Sequence, residues 1–217
     1  ALTLATSISS WSSQLRTRSE LASLSRQDLR LLVFFHGDSL AHTIRPLIIG
    51  RVLRQHGYSV EFAGRGQHSQ RIKKEGFQIH AVETIPQIRI DAFLARGDYA
   101  YFDMEWIDRC VTAERSLIRE LQPDLVLGDM RPTLQLAAEI EGVDLALVIA
   151  GYQQPGYPFP ISLPKWFPTI PGPLKEYREQ YALSNTTSHR VLYLVADIPE
   201  FHPPGSTTPG SYNYVGP

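Results

Sequence analysis

The sequence predicts an α/β domain, a Rossmann-like parallel sheet with helices on both faces. Three observations predict it. Between residues 31 and 150, short apolar runs alternate with stretches of helical periodicity. The first run is continuous rather than alternating, as in strands covered on both faces. Each strand–helix unit is long enough for the right-handed crossover that parallel pairing requires.

The elements follow in order. Leu31–Phe35 is the first strand, and it opens into the loop His36-Gly-Asp-Ser-Leu-Ala-His42. Ile44, Leu47, Ile48, Val52 and Leu53 then recur at helical spacing. Thr43 is the expected N-cap, Pro46 sits in the first turn and Gly57 stops the helix. Tyr58–Ala63 alternates and reads as the second strand. A short helix around 67–75 ends at Gly76, and Phe77–Ala81 is a weaker third strand. Residues 105–121 form a helix of mixed charge. Pro123 introduces a fourth strand, Asp124–Gly128. A helix over Leu134–Ile140 is capped by Gly142. Leu145–Ile149 and Val191–Val195 are the fifth and sixth strands. Between them, seven prolines from Pro155 to Pro173 interleave with Tyr152, Tyr157, Phe159, Trp166 and Phe167. A loop of this length is expected to be functional, with a helix over 174–183 closing it.

Three zones result. Residues 1–30 hold eight serines, four arginines and two acidic residues and read as an exposed extension, with a transit peptide as the alternative. Residues 31–196 are the domain, and 197–217, rich in Pro, Gly, Ser and Thr, read as the start of a linker.

Composition removes several classes. A formal net charge of −1 argues against a dedicated nucleic-acid binder. The single cysteine, Cys110, excludes an internal disulfide and a cysteine-based zinc site, and makes a reducing, cytoplasmic setting the default. The apolar runs are far too short to span a bilayer.

Ligands of open parallel sheets bind beyond the carboxyl ends of the strands. With a strand order 3-2-1-4-5, the loop after strand one and the end of strand four become neighbours. His42 and Asp129 would then sit side by side, although 87 positions apart. A carboxylate that accepts from one imidazole nitrogen fixes the tautomer and frees the other to take a hydroxyl proton. The plainer alternative makes His42 a helix N-terminal residue and Asp129 a cap. Tyr99, Tyr101, Phe102 and Trp106 form either a core stripe or a ligand wall. Gly37 before a helix could receive a phosphate, but neither G-x-G-x-x-G nor Gly-Lys-Ser/Thr is present. Ser39 lacks the G-x-S-x-G elbow. His36, His42 and Asp38 lack the helical His-x-x-x-His that would favour a metal.

Three ordered stretches resemble a known family. They are His42 to Val60, Pro123-Asp-Leu-Val-Leu-Gly-Asp-Met-Arg-Pro132 with its continuation to Gln154, and Asp197-Ile-Pro-Glu200 with Tyr212 to Pro217. Together they resemble the N-terminal half of GT-B glycosyltransferases of the macrolide-type, nucleotide-sugar-dependent branch. The loop Gly37-Asp-Ser-Leu-Ala41 departs from the family's glycine-rich loop, and Pro46 is displaced. The resemblance implies inverting transfer of a sugar from a nucleotide-sugar to a hydroxyl of a small lipophilic or lipid acceptor. His42 would be the general base and Asp129 its orienting partner. Asp38, Ser39, Tyr101, Trp106, Arg131, Tyr152, Gln153, Tyr157 and Phe159 would contact the acceptor. No metal or cofactor is implied, the nucleotide-sugar being a substrate. The implied partner is a C-terminal donor-binding domain, missing here or on a separate chain, without which the chain is expected to be inactive. Peripheral contact with a membrane also fits, and nucleic acid does not. The alternatives are a non-catalytic partner subunit and a sugar-nucleotide epimerase.

Overall fold

The computed structural model describes residues 28–95, 103–129, 131–151, 178–181, 183, 191–197 and 212–216. They form β1 (Arg30–Phe34), α1 (Ala41–Gln55), β2 (Ser59–Ala63), α2 (Ser69–Lys74), β3 (Ile79–His80), α3 (Gln87–Leu94), α4 (Met104–Leu121), β4 (Leu125–Asp129), α5 (Leu134–Glu141), β5 (Asp144–Ile149), β6 (Val191–Val195) and β7 (Tyr212–Tyr214). All seven strands lie parallel in the order β3-β2-β1-β4-β5-β6-β7. The neighbours β1 and β4 pair from Leu31↔Leu125 to Phe34↔Gly128.

The period-two alternation of strand side chains sorts the core into two layers. Leu32, Phe34, Val126, Leu145 and Val191 pack with α4 and α5, through Ile107, Val111, Ile118, Leu134 and Ala137. Leu31, Val33, Leu125, Leu127, Val148 and Leu194 pack with α1 and α2, through Leu47, Leu53 and Ile72. Because both faces are covered, the strands carry apolar side chains in succession. Cys110 lies in the first layer, where burial pushes its thiol up to about 12.

Helix α1 differs in detail from the sequence pattern. It starts at Ala41, with Leu40 at the cap position and no side-chain cap. Thr43 is inside the helix and buried, and its hydroxyl donates to Ser39 O at 2.8 Å and is within reach of His36 O at 3.3 Å. The buried stripe runs through Pro46, Leu47, Gly50 and Leu53, which turns Ile48 outward, 49% exposed. Pro46 lies in the body of the helix and has no N–H to return to the His42 carbonyl. The His36 N–H donates to that carbonyl instead, at 3.4 Å.

Gly50 sets how closely α1 approaches the sheet. A Cβ there would lie 2.5 Å from Phe62 Cζ. Phe62 is itself held edge-on between Phe35 and Phe77. Alanine would gain roughly 1 kcal/mol of helix propensity, whereas overpacking a filled core costs about 1–3 kcal/mol. Gly50→Val adds a larger, β-branched side chain. We expect it to lower unfolding free energy by at least about 2 kcal/mol in chemical denaturation; unchanged stability would mean that Phe62 has room to move.

Three other segments depart from the expected pattern. The third strand shrinks to Ile79–His80, since Phe77 turns into the α1 layer. Helix α3 had no readable stripe, because Ile88 faces solvent; Pro86 starts it, its carbonyl accepting from Arg89 and Ile90 N–H. Tyr212–Tyr214, in the stretch read as linker, pairs with β6 as a seventh strand. Residues 1–27 and all but 178–181 and 183 of the 174–183 helix lie outside the described residues. No described helix is long and apolar enough to cross a membrane.

Candidate active site

The site is built at the carboxyl edge of β1 and β4. Asp129 is the last residue of β4 and stands on the α1 side of the sheet, two positions after Leu127. His42 is the second residue of α1. Because β1 and β4 are adjacent and parallel, the β1–α1 turn brings His42 over the end of β4. Its Nδ1 lies 2.9 Å from Asp129 Oδ1. Asp129 is 1% exposed while the histidine side chain is 24% exposed, so the carboxylate is sheltered and the imidazole can be reached.

The two are joined by Arg45, which the sequence reading did not single out. Its Nε donates to Asp129 Oδ2 at 2.9 Å and its Nη2 to Oδ1 at 2.9 Å. The same Nη2 is 2.7 Å from His42 Nδ1. The signal was present: Arg45 is three residues after His42 and therefore on the same helical face. The pair thus becomes a three-membered cluster.

The loop that presents His42 is held by the turn after β2. Gly37 N–H donates to Arg65 O at 3.0 Å, and His68 N–H to Gly37 O at 2.8 Å. Gln67 N–H donates to Asp38 Oδ1 at 3.2 Å. A Cβ on Gly37 would sit 2.4 Å from Arg65 O, so only glycine permits this backbone approach. The turn Gly64-Arg-Gly66 after β2 thus supports the site loop. Asp38 is engaged in holding this turn, and the Ser39 carbonyl receives Thr43.

On the opposite side of the sheet edge lies a second, buried polar group. Arg131 donates through Nε and Nη2 to Glu114 Oε1, at 3.1 and 2.6 Å, and through Nη2 to Glu83 O at 3.0 Å. Thr133 Oγ1 donates to the same Glu114 oxygen at 3.0 Å. Burial pushes the Glu114 carboxyl up, against the pull of Arg131 and Thr133. Arg131 was expected to face the acceptor. It is only 4% exposed, turned inward because the carboxylate of Glu114 on α4 lies in the core and needs a counter-charge. Trp106 stands in the first turn of α4, half-buried, with the Arg109 guanidinium 4.3 Å and that of Arg89 5.6 Å from its ring centre. Tyr101, Tyr152, Gln153, Tyr157 and Phe159 lie outside the described residues.

His36 completes this region. It is 4% exposed, and neither ring nitrogen has a hydrogen-bond partner among the described residues. Burial, reinforced by the Arg131 charge, lowers it to about 4 from 6.5. The unfolded chain would bind a proton near pH 6.5 that the folded chain refuses until about pH 4. Stability therefore falls as pH drops through that window and levels off below it. At 1.36 kcal/mol per unit the contribution is about 3 kcal/mol. We expect His36→Gln to remove most of this part of the acid slope between pH 7 and 4.5 in chemical denaturation. An unchanged slope would assign the acid sensitivity elsewhere.

The fold is that of the N-terminal, Rossmann-like half of GT-B glycosyltransferases. The chain matches the calicheamicin glycosyltransferase CalG4 with a TM-score of 0.58, at 15% identity, over 87% of this chain and 52% of that one. In sequence it is 27% identical over 219 residues to the PGL/p-HBAD biosynthesis rhamnosyltransferase of Mycobacterium bovis (strain BCG / Pasteur 1173P2), covering 87% of this chain and 48% of the relative. It is 25% identical to an inactive PGL/p-HBAD biosynthesis glycosyltransferase of the same strain, covering 59% of that protein. The chain thus spans about half the length of the curated relatives it matches. No family model matches it.

Proposed function

We propose that the chain is the acceptor-binding half of a glycosyltransferase that moves a sugar, with inversion, from a nucleotide-sugar to a hydroxyl of a small lipophilic or lipid acceptor. The observation that carries the reading is the 2.9 Å contact between His42 and Asp129 at the carboxyl edge of adjacent strands. In the reaction, His42 Nε2 takes the proton of the acceptor hydroxyl. The acceptor oxygen attacks the anomeric carbon, and the bond from that carbon to the donor phosphate oxygen breaks. The nucleoside diphosphate leaves with the electron pair. Buried Asp129 accepts from Nδ1 and balances the imidazolium, as orienting carboxylates do in comparable dyads.

The donor must be held opposite the acceptor by a second domain, on this protein or in trans. Joint positioning supplies roughly 7–11 kcal/mol of a barrier, so the half chain alone should turn over little. The rhamnosyltransferase relative makes a nucleotide-activated rhamnose the first donor to try. The likeness to an inactive relative supports a second reading, a non-catalytic partner subunit. The test is acceptor-dependent release of nucleoside diphosphate by the full protein, with the anomeric configuration of the product read by NMR. An inverted product supports the proposal. Interconversion of the nucleotide-sugar without an acceptor would support the epimerase alternative instead, and no transfer with any donor would favour the partner subunit.

A further inference from the structure

We propose that the outer face formed by α1 and α2 is a docking surface for an anionic lipid bilayer. The proposal goes beyond sugar transfer, and its test needs no turnover, so the two stand or fall separately.

The first observation is where the charge lies. The chain as a whole has a formal net charge of −1. Arg51, Arg54, Arg71, Lys73 and Lys74 are all exposed on α1 and α2, and neither helix contains an acidic residue. Glu75, which follows α2, pairs with Arg51 and leaves the other four cations over. Arg71, Lys73 and Lys74 have no ion-pair partner among the described residues. Elsewhere the surface arginines are matched: Arg65 and Arg109 by Glu83, Arg89 by Asp103, Arg119 by Glu141. Unmatched positive charge is thus gathered on one side of the domain. The two helices present it as one face. Arg51 bonds the Glu75 carboxylate, Arg54 Nη1 donates to Glu75 O at 2.9 Å, and the Arg54 guanidinium lies 3.8 Å from the Phe77 ring centre. Their inner sides share one core layer through Leu47, Leu53 and Ile72, so their exposed side chains lie on the same outer side.

The second observation is apolar. Leu40, at the cap position of α1, is 47% exposed and Ile48 is 49% exposed. At about 100° per residue they fall on the same flank of the helix as Arg51. Exposed aliphatic side chains among unmatched cations complement an anionic bilayer surface, where phosphates meet the charges and the aliphatic groups enter the interface. An acidic protein would also meet the charges. Two separated aliphatic side chains, however, make no apolar core of the kind a protein interface is built on, whereas each can enter a headgroup layer alone. Leu40 is two residues before His42, so the face begins beside the candidate active site. A lipid acceptor drawn from a bilayer docked there has a short path to the histidine.

The test is co-sedimentation of the full protein with lipid vesicles. One set is phosphatidylcholine alone, the other equal parts phosphatidylcholine and phosphatidylglycerol. Each unmatched cation is worth about fivefold near an anionic surface. Partitioning into the anionic vesicles should therefore be at least about 100-fold stronger, and rising salt should weaken it. Lys73→Gln combined with Lys74→Gln should lower that partitioning about 25-fold, and Ile48→Ser about fivefold. Arg71→Gln, expected to cost about fivefold, provides a further variant should the lysine pair not fold. Arg109→Gln combined with Arg119→Gln, on α4, changes the net charge by as much as the lysine pair does. It should alter partitioning by less than about twofold, because those sites lie beyond a Debye length from the docked surface. Equal binding to both vesicle types, no loss in the lysine pair or in Ile48→Ser, or the same loss in both paired variants would overturn the proposal. Absence of any vesicle binding would overturn it too, and would leave the face to an acidic protein partner.

Discussion

Replacing His42 by alanine should lower kcat of the full protein by about 10²–10⁴-fold, the usual worth of a positioned general base. KM for the acceptor should change far less, because the imidazole contributes in the transition state rather than in ground-state binding. Asp129→Asn should fall in the same range. An amide keeps the shape but loses the charge that balances an imidazolium, and it leaves Arg45 without its carboxylate. Steady-state rates with saturating donor check both. A His42→Ala enzyme within a factor of a few of wild type would remove the histidine from the chemistry.

The largest effect on stability is expected at Arg131. Its guanidinium is the counter-charge of Glu114, which is wholly buried. Removing one member of a buried ion pair typically costs about 3–5 kcal/mol, because the other is left uncompensated. Arg131→Met should therefore destabilise by that amount in chemical denaturation. Adding Glu114→Leu should restore much of the loss, since an apolar pair of similar volume can replace a buried ion pair. If Arg131→Met were nearly neutral, the inward placement of Arg131 would be wrong and the expected acceptor-contacting role would return.

The sheet was legible because its strands are buried on both faces and leave continuous apolar runs in the sequence. Leu31–Phe35 and Leu145–Ile149 needed no other signal. The adjacency of His42 and Asp129 followed from strand order alone. What was not legible depended on single side chains choosing between layers. Ile48 fits a helical stripe as well as Leu47 does, and only the turn at which α1 meets β2 excludes it. Thr43 looks like a cap, but the freed carbonyl of His42 and the His36 N–H allow the helix to start earlier. Arg131 stood beside the expected site in sequence, yet its direction was set by Glu114, 17 residues earlier on another element. Arg45 was overlooked for the converse reason. A basic residue in the first turn of a helix reads as an unfavourable surface charge until the buried carboxylate of Asp129 is placed above it.

If His42 catalyses sugar transfer only in the orientation Asp129 gives it, the two residues act as one unit. A double-mutant cycle on kcat/KM, with His42→Ala, Asp129→Ala and the pair in the full protein, tests it most directly. Residues that act only through each other give non-additive losses. The double variant should then be about as slow as His42→Ala alone. Losses that multiply, each residue costing the same whether or not the other is present, would contradict it.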